Sequence, residues 1–119
     1  MDKRRTGQDG ESMAARYLEE RGYTVLNRNY RAGRWGELDI VAVEGGDLVF
    51  VEVKTRRSTA YGDPAESVTS HKLQALRRAA EQYKLSHPGT PPSLRFDVVT
   101  VLFNGTGLTI ELLKNVPWS

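Results

Sequence analysis

The pattern of apolar and polar residues predicts a first helix over about residues 6–21. Ala14 and Leu18 lie on one face of this helix, and Gly22 supplies an end signal after its last turn. Glu11 lies three residues before Ala14 and seven before Leu18, so its carboxylate belongs to the inward stripe and not to the solvent face. Glu11 is therefore a candidate functional group.

Two apolar runs, Ile40–Val43 and Leu48–Val51, predict a β-hairpin. A Gly-Gly pair lies between them, which favours a two-residue turn with one strand on each side. Alternation along the first strand places Leu38 on the same face as Ile40, and we expect this face to belong to the core.

The register of this hairpin brings charged side chains together at the end far from the turn. It places Asp39 opposite Glu52 and Glu37 opposite Lys54, with all four side chains on one face. Opposed carboxylates destabilise a sheet unless a positive charge offsets them. Two interpretations stay open: a solvent-exposed ladder in which Lys54 pairs with Glu37, or half of a metal site.

The remaining segments complete a mixed α/β pattern. Helix, three strands, helix and two strands follow one another, an order typical of a mixed sheet with helices packed on it. The further elements are a strand over residues 23–31, a polar and mobile loop over 55–67, a second helix beginning near Asp63 or Thr69, and a second hairpin over Leu94–Phe103 and Leu108–Lys114.

Composition limits the class of protein. A chain of 119 residues that is 39% hydrophobic suits one globular domain with a modest core. The absence of cysteine excludes disulfides and thiolate zinc sites and fits a reducing compartment. The longest apolar runs are far shorter than the roughly 20 residues that span a bilayer. We therefore expect a soluble, cytoplasmic protein with no membrane partner.

Acidic and basic residues separate along the chain. Residues 37–53 hold five acids and no base, whereas residues 1–36 and 54–84 each hold more bases than acids. An acidic hairpin between basic segments suits a cation at the centre and a polyanion around it. The alternative is that the charges are scattered over solvated faces.

The carboxylates of the hairpin select a particular kind of cation. Lys54 can neutralise only one charge, which leaves Asp39 and Glu52 unbalanced, and Glu11 offers a third carboxylate. Oxygen donors without a cysteine or histidine cluster favour Mg²⁺ or Mn²⁺ over zinc. A carboxylate-bound Mg²⁺ beside a lysine is suited to attack by water on a phosphate.

These residues resemble a nuclease signature. The segments Gly36–Asp39 (GELD) and Phe50–Arg56 (FVEVKTR) look like the active-site motif of the PD-(D/E)XK nuclease superfamily, with Leu38 in place of the usual proline. The chain is most similar to the YraN-like family of small bacterial predicted endonucleases, which resemble archaeal Holliday-junction resolvases. The resemblance implies a single endonuclease-like domain over residues 1–119, an α/β fold with a restriction-endonuclease-like, mixed five-stranded sheet flanked by helices.

The resemblance also implies roles for individual residues. Asp39 and Glu52 would coordinate Mg²⁺ or Mn²⁺, and Glu11 would hold the metal through water or bind a second ion. Lys54 would orient or help deprotonate the attacking water. Glu37 would either tune Lys54 or form an ordinary salt bridge.

Basic and aromatic residues after the hairpin are candidate contacts to nucleic acid. The expected substrate is DNA, branched or single-stranded, and a homodimer is compatible with the resemblance to junction resolvases. The alternative is a catalytically silent nucleic-acid-binding module that has kept the nuclease fold. The candidate contacts are Arg56, Arg57 and Tyr61 in the predicted loop and Lys72 and Arg77 in the second helix.

Three other conspicuous residues are interpreted as structural. Asp97 lies in a predicted strand and is expected to act as a structural or supporting acid. Trp35, just before the hairpin, is expected to anchor the core or its rim. Trp118, near the C-terminal end, is expected to pack a tail or a subunit contact.

Overall fold

The computed structural model describes residues 3–56, 70–105 and 107–118, which form one five-stranded sheet with a helix on each face. A short 3₁₀ turn at Gly33–Trp35 leads into the hairpin. The elements are α1 (Lys3–Glu20), β1 (Thr24–Arg31), β2 (Glu37–Glu44), β3 (Asp47–Arg56), α2 (Ser70–Ser86), β4 (Leu94–Asn104) and β5 (Gly107–Leu113).

The sheet is mixed, as the sequence predicted. Its strands lie in the order β1-β2-β3-β4-β5, and every neighbouring pair is antiparallel except β3 and β4. A parallel pair needs a long crossover connection, and the segment that contains α2 provides it. The fold is compatible with the restriction-endonuclease-like architecture expected from the motifs.

Two apolar clusters cover the two faces of the sheet. On one face, Ala14 and Leu18 of α1 pack against a cluster that includes Ile40 of β2. On the other face, Ala80 and Tyr83 of α2 pack against a cluster that includes residues of β2, β3 and β4. The central strands β2, β3 and β4 are therefore buried on both sides, which is why they read as nearly continuous apolar runs, whereas the edge strands β1 and β5 are more exposed.

The hairpin register is confirmed near the turn, but the expected alternation fails at its far end. Pairing runs from Glu44↔Asp47 to Ile40↔Val51. Leu38, however, packs in the cluster that faces α2, whereas Ile40 packs in the cluster that faces α1, so the prediction that they share a face is wrong. Asn29, on the neighbouring strand at this level, has a positive φ of 53°, a kink that strict alternation does not include.

Element boundaries differ from prediction where long-range pairing decides them. Thr55 and Arg56 were assigned to a loop but extend β3, because they pair with Val101 and Leu102 of β4. Helix α1 begins at Lys3, earlier than predicted, and lysine and arginine are favourable helix residues. Both predicted starts of the second helix, and the rest of the predicted loop, lie outside the described residues.

A buried polar network ties β4 to its neighbours. Asp97 is fully buried and accepts hydrogen bonds from Tyr23 Oη at 2.7 Å, from Arg95 Nε at 3.0 Å and from the backbone N–H of Asn115 at 2.9 Å. Arg95 also donates to Glu44 Oε1 at 2.7 Å, next to the hairpin turn. Burial and the Asp97 carboxylate raise the pKa of Tyr23, which stays protonated as a donor. The predicted structural role of Asp97 is confirmed.

No helix in the described part of the chain is long and apolar enough to cross a membrane.

Candidate active site

The two strands of the hairpin separate where Asp39 and Glu52 lie. The β2–β3 ladder ends at the pair Ile40↔Val51, while β2 continues to pair with β1. Asp39 Oδ2 accepts a hydrogen bond of 2.9 Å from the backbone N–H of Val53. The Asp39 side chain therefore takes the place of a backbone group in the ladder. This hydrogen bond holds the Asp39 carboxylate at the opening between the strands.

The Asp39 carboxylate is in an unfavourable electrostatic environment. Burial raises its pKa first, and the negative charges of Glu52 and Glu11 raise it further, to about 7. The Val53 N–H and the ammonium of Lys72 act in the opposite direction without cancelling this rise. An acid whose pKa is raised by both desolvation and neighbouring acids is typical of functional sites.

Glu52 is nearly inaccessible to solvent and is held by two lysines. Its side chain is 9% exposed, and its Oε1 lies 2.6 Å from Lys72 Nζ and 3.4 Å from Lys54 Nζ. Lys72 comes from the first turn of α2, on the face of the sheet that carries this helix. Two cations thus share one carboxylate at the end of the hairpin, and Asp39 lies outside these ion pairs.

The two lysines differ in how readily they give up a proton. Burial and the neighbouring ammonium of Lys72 lower the pKa of Lys54, against the attraction of Glu52. Burial is the largest single influence on Lys72 and acts to lower its pKa, but its hydrogen bonds to Glu52 and Lys54 and the negative charges of Glu52 and Asp39 together outweigh burial, and the net shift is upward. Lys54 is therefore the lysine better suited to accept a proton.

Glu11 reaches the same region from α1. Its Oε1 lies 3.7 Å from the Arg28 guanidinium and is buried with no hydrogen-bond partner among the described residues. Burial raises the pKa of Glu11, and Arg28 partly offsets this. The expected inward position of Glu11 is confirmed by its 15% side-chain exposure.

Glu37 does not occupy its predicted position. Its nearest ion pair is with Arg31, at 3.8 Å, and the ion pair of Lys54 is with Glu52. The predicted pairing of Glu37 with Lys54 is wrong, because β2 stays with β1 beyond Ile40 instead of following β3. Of the two alternatives for Glu37, the exposed salt bridge is the one observed, with the partner Arg31.

A hard divalent cation would find oxygen donors of the right kind here. Among residues 3–56, 70–105 and 107–118, no three His, Cys, Asp or Glu side chains lie close enough together to hold a metal ion. Two features still indicate a place that would accommodate a positive charge: the Oε1 of Glu11, which accepts no hydrogen bond from the described residues, and the raised pKa of Asp39. The residues therefore fit Mg²⁺ or Mn²⁺ in donor type, and Glu52 would have to exchange its contact with Lys72 for one with the cation.

The predicted nucleic-acid contacts fall in different places. Arg56 is the last residue of β3 and is half-buried, while Arg57 and Tyr61 lie outside the described residues. Lys72 contacts Glu52, so it lies in the candidate active site. Arg77 is exposed on α2 and lies 3.7 Å from Glu81.

Sequence reasoning missed the partners that hold the carboxylates. The contact of Lys72 with Glu52 joins residues twenty positions apart, and that of Arg28 with Glu11 joins two elements. The basic character of the second helix was visible in the sequence, but its orientation on the sheet was not. No spacing rule relates these pairs.

Known proteins are similar to this chain over nearly its whole length. The model of the uncharacterised protein family UPF0102 matches residues 10–101. The UPF0102 protein of Caldicellulosiruptor saccharolyticus is 44% identical over 117 residues, which cover 97% of this chain and 98% of that protein. The UPF0102 protein of Symbiobacterium thermophilum is 50% identical over 113 residues, or 94% and 95% of the two chains. These descriptions name no activity.

Proposed function

The chain belongs to the uncharacterised protein family UPF0102, and we propose that it is a Mg²⁺- or Mn²⁺-dependent endonuclease that hydrolyses phosphodiester bonds in DNA. Membership confirms the resemblance to the YraN-like family of small bacterial proteins. The activity rests on the residues themselves, and we place it in the cytoplasm, on branched or single-stranded DNA.

The observation that carries this proposal is the environment of Asp39. Its pKa of about 7 reflects burial together with the charges of Glu52 and Glu11. A purely structural carboxylate is normally surrounded by donors, as Asp97 is. Among the described residues, Asp39 is instead held by one backbone N–H at the opening of the sheet, where an added cation would stabilise it.

The cation would be held by Asp39 and Glu52, with Glu11 nearby. When bound, it supplies Lewis-acid stabilisation of charge on the phosphate and lowers the pKa of bound water. The protein contributes by fixing Asp39 with the Val53 N–H and by keeping Glu52 away from solvent.

Lys54 is the group placed to handle the proton of the attacking water. Because the pKa of Lys54 is lowered, a larger fraction of this side chain is in the neutral amine form at a given pH than for an ordinary lysine. In the proposed step the water oxygen forms a bond to phosphorus while one ester P–O bond breaks. The proton of the water goes to the Nζ of a neutral Lys54, which has first given its own proton to solvent, and the leaving oxygen takes a proton from solvent.

A second function is favoured by the contacts of Glu52. With Lys72 at 2.6 Å and Lys54 at 3.4 Å, this carboxylate is already compensated without a metal. A catalytically silent DNA-binding module would keep this arrangement permanently. The two functions differ in whether a divalent cation displaces Lys72 from Glu52.

Cleavage of four labelled DNA substrates tests the proposal. Four-way junction, flap, single-stranded and duplex DNA are incubated with Mn²⁺ or with EDTA, using wild type, Lys54→Ala and Asp39→Asn. We expect Mn²⁺-dependent products from the wild type, on branched or single-stranded DNA first, and a loss of at least a hundredfold in each variant. Binding without cleavage by all three proteins would support the silent module.

A matched control is available in the same hairpin. Glu37→Gln removes one charge from an exposed carboxylate whose ion pair with Arg31 is 3.8 Å long, and it should leave cleavage within about threefold of wild type.

A resolvase-like enzyme has two strands to cut at a junction, so we expect the active form to be a homodimer. Sedimentation of the protein with and without junction DNA measures this directly.

A further inference from the structure

Both tryptophans of the chain lie beside the outer face of α2. Trp35, in the 3₁₀ turn, has the Arg34 guanidinium 4.6 Å and the Arg78 guanidinium 5.6 Å from its ring centre. Trp118 has the Arg77 guanidinium 5.3 Å from its ring centre. Both indoles are half-buried, and the three arginines are exposed. Each ring is thus accompanied by at least one solvent-facing guanidinium.

Two shallow cavities are each lined by one of these tryptophans and by residues of α2. One, of about 410 Å³, is lined by Trp118, Gln74, Arg77 and Arg78. The other, of about 260 Å³, is lined by Trp35 and by Gln74 and Arg78 as well. Because Gln74 and Arg78 line both, the two cavities adjoin on α2. We call this surface the two-tryptophan face and define it by Arg34, Trp35, Gln74, Arg77, Arg78 and Trp118.

The charge of the two-tryptophan face is positive. No acidic side chain lines either cavity among the described residues. Arg77 has an acidic neighbour, Glu81, at 3.7 Å along the helix, and this exposed pair is worth little. Aromatic rings with exposed guanidiniums and no acid are the combination that binds stacked bases and phosphates.

The expected role of Trp118 as a packing residue accounts for only part of its surface. It stacks on Phe96 with ring centres 5.5 Å apart and 12° between the rings. The side chain nevertheless lines the larger cavity, beside Arg77. Trp118 is therefore held in place by its contact with Phe96 and also lines the cavity. A side chain that is already held in place loses less entropy when a ligand stacks on it.

We propose that the two-tryptophan face binds a single-stranded segment of DNA, with bases stacked at Trp35 and Trp118 and phosphates paired with the three arginines. The proposal rests on the proposed function in taking DNA as the ligand, but it requires neither metal nor cleavage. It gives Trp35 and Trp118 a binding role in addition to their packing role, and it adds Arg34 and Arg78 to the candidate contacts.

The position of this surface suits a strand that continues from the candidate active site. Trp35 lies four residues before Asp39, with the start of β2 between them. Lys72, which contacts Glu52, and Arg78 are six residues apart on α2, or about 9 Å along the helix axis. An unpaired strand of a few nucleotides could therefore contact both places, which would favour substrates with unpaired ends or branches.

Intrinsic fluorescence provides a direct test, because the chain has two tryptophans and both belong to this face. The wild type is titrated with oligo-dT in EDTA, so that no cleavage occurs. We expect saturable quenching that weakens as salt is raised, and an affinity for the same length of duplex at least tenfold lower. No quenching, or equal quenching by duplex, overturns the proposal.

Charge-reversal variants locate the binding. Arg78→Glu, which alters both cavities, should weaken oligo-dT binding at least tenfold. Arg16→Glu makes the same change at an exposed position on α1 and should leave it within twofold. Equal losses in both variants, or equal quenching by poly-glutamate, would overturn the proposal in favour of a general anion surface or a protein partner.

Two further variants separate stacking from folding. Trp35→Phe should retain most of the affinity and Trp35→Leu should lose it, with both proteins checked by thermal melting. Equal affinity in the two folded variants would contradict stacking at this position. If Asp39→Asn binds oligo-dT like the wild type while neither protein cleaves DNA, the two-tryptophan face stands and the nuclease proposal fails.

Discussion

Lys72 Nζ lies 2.6 Å from Glu52 Oε1, so a carboxylate expected to bind a cation already has an ammonium beside it. This contact joins the start of α2 to the end of the hairpin at which β2 and β3 separate. It has a direct consequence for metal binding, since a metal ion and Lys72 would compete for the same oxygen.

Replacing Lys72 should therefore strengthen the response to metal. In Lys72→Met the Glu52 and Asp39 charges lose a cation, so the metal-free protein should be destabilised by about 1–3 kcal/mol. Added Mn²⁺ should then raise the melting temperature of the variant more than that of the wild type. Thermal melts over a Mn²⁺ series measure both effects, and a smaller rise in the variant would show that Lys72 assists the metal.

The stability of the metal-free protein should depend on pH through Asp39. Its pKa is about 7 in the folded protein and 3.8 for the ordinary group, so the folded state binds this proton more tightly. The free energy of unfolding should fall as pH rises from about 4 to 7, by at most about 4 kcal/mol from this group, and then level off. Urea unfolding in EDTA between pH 5 and 8 measures the slope, which should be shallower in Asp39→Asn. Parallel slopes would contradict the assignment.

Asp97 should be among the most sensitive residues to truncation. Asp97→Ala removes the buried partner of the Arg95 guanidinium, which is 12% exposed and keeps its contacts with Glu44 and Asp47, and it removes the acceptor of the Tyr23 hydroxyl. Because the arginine charge is still partly compensated, we expect a loss of about 2–4 kcal/mol in the free energy of unfolding. The exposed Glu37→Ala serves as the comparison and should change it by less than about 0.5 kcal/mol. A loss below about 1 kcal/mol at Asp97 would argue against a structural network.

Gly10 sets the distance between α1 and β3. A Cβ at this position would overlap the Oγ1 of Thr55, so Gly10→Ala should push the helix away and cost about 1–3 kcal/mol. Because Glu11 is the next residue, cleavage should fall as well. Thr55→Ala removes the overlapping atom, and the double variant should recover at least half of the lost stability. Additive losses in urea unfolding would show that no such overlap occurs.

Local pattern was sufficient for the elements and for the hairpin register near Gly45-Gly46, because both depend on residues close in sequence. It failed at Leu38, which packs toward α2 although Ile40 packs toward α1, at the end of β2 where the pairing with β3 has stopped. It also failed at Thr55, whose strand conformation depends on β4, more than forty residues away.

In the candidate site, too, features that depend on nearby residues could be predicted and features that depend on distant residues could not. Glu11 and Asp39 could be selected from periodicity and charge balance, since each is an acid on an otherwise apolar stripe. The separation of the strands and the contact of Lys72 with Glu52 could not, because they depend on how α2 packs on the sheet. The sequence therefore indicated which acids are candidates, but not which side chains contact them.

The most direct measurement of the metal centre is the melting temperature of the wild type and of Asp39→Asn in EDTA, Mg²⁺ and Mn²⁺ at pH 8, where Asp39 is ionised. If Asp39 is a metal ligand, Mn²⁺ should raise the melting temperature of the wild type by several degrees, and Asp39→Asn should abolish the increase. A wild type that melts at the same temperature with and without either metal would contradict the metal site, and with it the metal-dependent nuclease.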